Sequence, residues 1–490
     1  MNFIDLLSKK DQRMLVLLNE LTIHGSQTID ELLAKLEVSK KTLLTTIDEI
    51  NLFSMKKYNQ AAFSVQKDVL FSIGNLNACL FDLYKETAKQ SIPAQILTQL
   101  FTQQVSSTSI LAEKCFSSTV TIHQNIKQLN VFLKRYDLQI LSSPIRITGE
   151  EHQIRFMYKA FFWAIYYGNE WPFILVPKEK LIKEIEDAAP YLASHHTNMI
   201  QETILYDIAV ILSRRATKNF ITRQITHNPN SPLNKILYNS GKLVELGSPK
   251  EQVTLENSFT LAILEGPSIV NRDYSLIHEM FFHYQNNPTT AYHMLLTLME
   301  YLHVFLTDED YRKMDMTAIK MQFMQVFSMV TYFQGIKEDF IPFRDKQERN
   351  NLFLTQIVQK ISTKLIDTYP KLAVAEEVIR RQLNRILADN LDFTKYLPAI
   401  TILIDFDMNP LHNRLIHQIK KLDYHCLFLS YLDAPNNCDL LISSSIPSEL
   451  AFRKKFTLFH RNLTYNDYQL LDQLLSELTR EKLAENQIEF

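Results

Sequence analysis

Glycine is scarce in this chain: 8 in 490 residues, against an average usage of about 7%. The eight stand at 25, 74, 149, 168, 241, 247, 266 and 335, no two closer than six positions. A Walker-A loop, a G-x-G-x-x-G turn and a G-x-S-x-G nucleophile elbow each need glycines about two to five residues apart. Those motifs are excluded on that ground, and the common nucleotide-binding and hydrolase folds are poor readings. Few glycines also mean few tight hairpins, because glycine supplies the left-handed backbone such turns require. A mainly helical protein is expected.

The length allows about three to five domains. Hydrophobic residues at 46% are ample for several cores. Cys79, Cys115, Cys426 and Cys438 form no C-x-x-C pair, and four thiols in so long a chain suit a reducing compartment. The opening MNFIDLLSKKDQR lacks the basic, apolar, small-residue order of a signal peptide. The most apolar stretch, 156–177, holds Lys159 and Glu170, whereas a membrane helix needs about 20 nearly uncharged residues. A cytoplasmic chain without a membrane span is the expectation. Net charge is −2, and residues 1–149 carry 16 Lys and Arg against 13 Asp and Glu. That bias is slight, but a DNA binder needs only one basic face.

Residues 10–24 place Met14, Leu17, Leu18 and Leu21 at helical spacing, and Gly25 closes the helix. Thr28 with Glu31 makes a capping box for a short helix with Ile29, Leu32 and Leu33 inside. Leu36-Glu37-Val38 is a turn, and Ser39 caps a second helix striped by Leu43, Leu44, Ile47 and Ile50. Its other face carries Lys40, Lys41, Thr42, Thr45 and Thr46. Residues 63–65 and 69–71 read as a hairpin wing. The layout then recurs. Residues 76–103 are helical with a break at Pro93, a helix near 109–114 follows, and Cys115-Phe116-Ser117 is the turn. Ser118 caps a longer helix with Ile122, Ile126, Leu129 and Leu133 inside and Thr119, Thr121, His123, Gln124 and Lys127 outside. Residues 138–141 and 145–148 form a second wing that carries Arg146 and ends at Gly149.

Helix-turn-helix units place their second helix in the major groove, where outward Lys, Thr, His and Gln meet phosphates and base edges. The two outer faces and Arg146 are therefore the expected contacts to double-stranded DNA. Solvated faces of ordinary packed helices account for either unit alone equally well; two in series, each followed by a wing-like hairpin, favour DNA.

Residues 152–395 are helical by pattern, with loop-like composition at 226–249 and a break at Asn286-Asn287-Pro288. The Met and Phe stripe at 321–333 reads as core, with helix-packed dimerisation as the sharper alternative. Beyond 397, strand-like runs at 399–404, 425–429, 440–442 and 456–459 alternate with helices at 411–422 and 463–478, which points to a small α/β domain with a mainly parallel sheet. Metal chemistry has little to stand on. His278 and His283 are one residue too far apart for an H-E-x-x-H helix. His293 and His303 lie in apolar helices, where core or interface roles are expected, and no cofactor is expected.

These features together resemble the Mga family of virulence and global regulators of Gram-positive bacteria. The resemblance rests on the tandem N-terminal units, the run Ile-Thr-Gly-Glu-Glu-His-Gln-Ile-Arg at 147–155, and Glu-Trp-Pro-Phe at 170–173. It implies winged helix-turn-helix domains at 1–75 and 76–150, PRD-like helical domains (the phosphotransferase-system regulation domains) at 151–275 and 276–396, and an EIIB-like α/β domain at 397–490. It also implies a homodimer or higher oligomer, and phosphorylation of PRD histidines by the phosphocarrier HPr.

Departures from the family pattern bear on that last point. The helix at 205–215 looks like the one that carries the first PRD histidine, but the matching positions offer Glu202, Asp207 or Ile208. The second offers Arg380 and Arg381. His195 and His196 are the fallback phosphorylation sites. The EIIB-like part lacks the nucleophilic Cys after its first strand, where Asp405 to Pro410 stand instead. A DNA-binding regulator, not an enzyme, is the main expectation. A phosphotransfer or interaction protein with vestigial DNA units is the alternative. An RNA-binding antiterminator would begin with a β-rich module in place of these helices.

Overall fold

The structure, a computed structural model, describes the chain except residues 1, 103–104, 189–197, 226–230, 239–248, 266–273, 342, 344–350, 406–408, 430–437, 444–451, 459–462 and 486–490. It divides into two compact units. One holds Met1–Leu296, Thr317–Arg344 and Lys371–Val378; the other holds Thr297–Met316, Asp345–Pro370 and Ile379–Phe490.

The first unit opens with α1 (Lys9–His24), β1 (Ser26–Thr28), α2 (Ile29–Leu36), α3 (Lys40–Tyr58), β2 (Phe63–Gln66) and β3 (Val69–Ser72). Each boundary has a local cause. Ser8 caps α1, and Gly25 ends it at φ +74. Thr28 and Glu31 form the reciprocal capping box of α2, and Ser39 accepts from the Thr42 N–H to start α3. β3 lies between β1 and β2 in an antiparallel sheet, Val65 facing Leu70. Lys67 and Asp68 turn the hairpin, both at positive φ, which is the turn hand that matches strand twist.

The pattern repeats in α4 (Leu76–Gln90), α5 (Ile92–Phe101), α6 (Thr108–Lys114), α7 (Thr119–Leu133), β4 (Gln139–Ser142) and β5 (Ile145–Thr148). The helix break falls at Ser91, which caps α5 with Pro93 in its first turn. Ser118 accepts from Thr121 N–H just as Ser39 does from Thr42, and both Ser–Thr hydroxyl pairs touch, at 2.8 and 2.9 Å. A second correspondence lies twelve residues past each cap. Asn130 donates to Ile140 O (3.0 Å) and accepts from Ile140 N–H (2.7 Å), while Asn51 makes the same pair with Phe63 (3.1 and 2.8 Å). Each asparagine thus satisfies the outer edge of its hairpin's first strand and moors the hairpin to α3 or α7. Asn130→Ala is expected to cost about 1–3 kcal/mol, because it strands a buried N–H and C=O. A thermal melt of the full chain would check this, and Asn51→Ala should add independently.

The rest of this unit holds α8 (Glu151–Tyr166), α9 (Lys178–Ala188), α10 (Asn198–Ala216), α11 (Pro232–Tyr238), α12 (Val253–Leu264), α13 (Tyr274–Asn286), the first turns of α14 (Thr290–Phe305), and α16 (Thr317–Tyr332), with α10 packed on α8, α9 and α12 on α10, and α11 and α16 on α13. The helix α11 corrects the loop expected across 226–249: Ser231 caps it, Pro232 opens it, and Leu233 is buried. Phe3, Phe132, Tyr136, Phe161 and Phe340 form an aromatic core between the DNA-type unit and the helical body. The Met and Phe stripe of α16 is core, with Met321, Phe323, Met324 and Phe327 buried.

Immediately after the second wing lies a buried ion network. Glu151 takes a bidentate pair from Arg214 (2.9 and 2.7 Å) and a bond from Arg155 (3.0 Å). Glu256 takes a bidentate pair from Arg155 (2.7 and 2.9 Å), a bond from Arg215 (2.7 Å) and the Ile221 N–H. All five side chains are almost wholly inaccessible. The spare positive charge is met by carbonyls: Arg214 donates to Phe101 O and Arg155 to Asn219 O, with Arg155 also over the Phe259 ring. Gln153 exchanges two hydrogen bonds with the Gln334 backbone. The 147–155 run is therefore the joint that fixes the second DNA-type unit onto the helical body. Gly149 at φ +137 belongs to it, since a Cβ there would lie 2.4 Å from Leu138.

The second unit contains the remainder of α14, α15 (Asp308–Met314), α17 (Leu352–Thr368), most of α18 (Glu376–Asn390), β6 (Ile400–Asp405), α19 (Asn409–Ile419), β7 (Cys426–Leu429), β8 (Cys438–Ser443), β9 (Phe452–Thr457) and α20 (Tyr465–Glu485). The strand order is β7-β6-β8-β9 and every pairing is parallel. Ile400, Ile402, Leu440, Ile442, Leu471 and Leu475 bury one continuous core, as a parallel sheet flanked by helices requires. Asp439 pins β6 by accepting from Thr401 N–H and pins α20 through Lys482.

Candidate nucleic-acid interface

The candidate reading surface of the second helix-turn-helix unit, which like the first lies in the first compact unit, is one side of α7. At 100° per residue, Val120, His123, Gln124 and Lys127 line up outward, and all are exposed. Ile122, Ile126, Leu129 and Leu133 line up inward and are buried. Thr119 is exposed, and Thr121 is half-buried with its hydroxyl on the Ser118 cap. No carboxylate lies anywhere on α7. Arg146 projects from β5, exposed, so the wing adds a second cation. The expected contacts Thr119, His123, Gln124, Lys127 and Arg146 are thus open to a ligand.

The first unit offers a weaker surface. Lys41 and Thr45 are exposed, but Lys40 is tied to Asp68 of its own wing tip (3.2 Å) and Thr42 is half-buried against Ser39. Thr46 is a correction. It is fully buried, donates to Thr42 O and accepts from Arg13 Nε (3.0 Å). Leu44 is the converse: expected inside, it stands exposed. Both follow from helical phase. Leu43, Thr46, Ile47 and Ile50 share the inner stripe, and Leu44 lies about 100° away from Leu43. The outward stripe is instead Lys41, Leu44, Thr45 and Asp48, with Glu37 at the turn. Asp48 occupies the place that Lys127 holds in α7, counting nine residues from each serine cap. A carboxylate there repels the phosphate that the lysine would attract.

Phe116 and Val120, which are 98% and 64% exposed, are missing from the contacts expected on sequence grounds. Periodicity tends to assign apolar residues to the interior, yet the stripe count that excludes Leu44 also places Val120 outside.

Residues 76–162, the span of this second unit and the start of α8, match the Mga helix-turn-helix domain. Over part of its length, the chain is similar to Mga-type regulators. It is 26% identical over 139 residues to the capsule synthesis positive regulator AcpB of Bacillus anthracis, covering 28% of each chain. It is 27% identical over 158 residues to the capsule synthesis positive regulator AcpA of the same organism, covering 32% of each. The chain thus matches less than a third of the length of these curated relatives. The matched domain is a helix-turn-helix, and both relatives are named as positive regulators.

Outside that domain, the candidate positions for Mga-type phosphoregulation are engaged or undescribed. Asp207, buried on α10, pairs with Lys159 of α8 (2.8 Å), and Glu202 pairs with Lys178 (2.6 Å). Ile208 is core. Arg380 reaches Gln359. His195 and His196 lie outside the described residues. His293 and His303 are exposed rather than core; each takes the polar side of an amphipathic α14, and His303 meets the edge of Tyr311. His152, within the joint, is held neutral: burial, then the neighbouring Arg223 charge, push its pKa down to about 4. Among the described residues no group of three His, Cys, Asp or Glu could hold a metal, and no helix is long and apolar enough to cross a membrane.

Proposed function

We propose that this chain is an Mga-type transcription regulator that binds duplex DNA chiefly through its second winged helix-turn-helix. The observation that carries the choice is α7: an outward stripe of polar readers and one lysine, free of carboxylates, on a wing-moored helix. Lys127 and Arg146 would neutralise phosphates, while His123 and Gln124 would meet base edges. The first unit, with Lys40 occupied and Asp48 in its stripe, would add backbone contacts at most. The five-part organisation at 1–75, 76–150, 151–275, 276–396 and 397–490 belongs to the same reading, with PRD-like and EIIB-like parts that bring copies together in a dimer.

Phosphotransfer is the weaker alternative. Burial pushes the Cys426 thiol up to about 12 and also raises Cys438, so neither is an activated thiolate. The acids that replace the first regulatory histidine are held by lysines, which leaves HPr no acceptor among the described candidate positions. The test is binding of the full chain to duplex DNA as salt is raised. A steep linear fall of log affinity with log salt is expected, since each neutralised phosphate releases about one counterion. Absence of binding at low salt by a folded protein would refute the proposal.

A further inference from the structure

Phe116 combines two costs. Its side chain is 98% exposed, and its backbone sits at φ +49, a conformation that helix ends ordinarily give to Gly or Asn. In the free protein it buries nothing in return. The fold does not demand an aromatic ring there. The matching turn of the first unit holds Glu37 at φ +52. Four residues on, Val120 is the second exposed apolar side chain, in the first turn of α7 and on the stripe of His123, Gln124 and Lys127. The two flank the Ser118 cap, at the end of the helix that such motifs press against the bases.

The occupant is limited by chemistry. The stripe carries a cation and no carboxylate, so it suits a negatively charged partner with apolar groups set among acceptors. The major groove has that character, and its aliphatic group is the C5-methyl of thymine, which Phe and other apolar side chains cover. We propose that Phe116 and Val120 are specificity determinants that read thymine methyl groups, placing the preferred sites of this chain in thymine-containing major groove. The inference rests on the reading that α7 enters DNA.

The experiment removes the methyl groups and nothing else. Duplexes are enriched from a random-sequence library by the full-length protein, then resynthesised with deoxyuridine in place of thymidine. Wild type is expected to lose about five- to tenfold in affinity on the deoxyuridine duplexes. Phe116→Ala/Val120→Ala should bind the thymidine duplexes about as weakly and lose nothing further with deoxyuridine. Lys127→Ala should weaken both forms equally. Phe116→Gly, unstrained at positive φ, should melt no lower than wild type and show the same blunted methyl sensitivity, so misfolding is separated from lost contact. Equal wild-type affinity for both duplexes, or full methyl sensitivity in the double variant, overturns the proposal. So does a change of sedimentation in Phe116→Ala without a change in DNA binding, which would make the patch a contact between copies. Failure of wild type to bind any duplex at low salt would instead overturn the DNA reading beneath it.

Discussion

Glu256→Gln is expected to destabilise the protein by about 3–5 kcal/mol. Glu256 is fully buried and is the counterion of both Arg155 and Arg215. The amide keeps the volume but removes the charge, so Arg215 loses the carboxylate it pairs with and Arg155 keeps only its ion pair with Glu151, leaving excess positive charge in the interior. Such a loss is costly because burial weakens solvation without weakening repulsion. The effect has a pH signature. Burial alone would raise the Glu256 carboxyl, but hydrogen bonds from Arg155 and the charges of Arg155 and Arg215 outweigh it and hold the pKa below 4.5. The folded state therefore keeps this carboxylate ionised to lower pH than the unfolded chain. Its contribution is complete above pH 4.5 and drains away below it. Denaturant melts of wild type and variant should differ most near neutrality and converge in acid. A difference below about 1 kcal/mol at neutral pH, far under the usual cost of breaking a buried pair, would show that the network does not hold the joint.

Lys127→Glu is expected to lower DNA affinity about ten- to a hundredfold at moderate salt and to flatten the salt slope by about one or more counterions. The lysine is exposed, so the fold should be untouched. Reversal replaces an attraction by a repulsion of similar size at the same phosphate. Lys41→Glu, on the stripe that already carries Asp48, should cost less than about threefold. Equal losses in the two variants would mean that both units sit on the backbone, and anisotropy titrations at several salt concentrations read the difference directly.

Much of the DNA-type half is legible in the residue order. Caps at Thr28, Ser39 and Ser118, the stop at Gly25 and both hairpins are set by residues within a few positions of one another, and all appear where their chemistry places them. The parallel sheet at the far end is legible too, from apolar runs alternating with amphipathic helices. Thr46 and Leu44 are misplaced wherever polarity is put ahead of helical phase. A threonine can be buried once its hydroxyl bonds back to the carbonyl four residues earlier, as Thr46 does. The asparagine moorings and the 147–155 joint have no local signature, although the joint's residues stand out by their resemblance to a family.

By itself, then, the sequence determined the local order of this protein: scarce glycine, helix caps, two helix-turn-helix units and an α/β end. Those signals act over a few residues, where hydrogen bonding and periodicity decide. Only the tertiary structure decided which partners far along the chain meet. Arg155 and Glu256 stand 101 positions apart and Arg214 and Glu151 stand 63 apart, yet their charges are tolerable inside only as a closed set. It also brought Asp68 of the folded hairpin tip to Lys40, 28 positions away, a pairing that no residue near Lys40 announces.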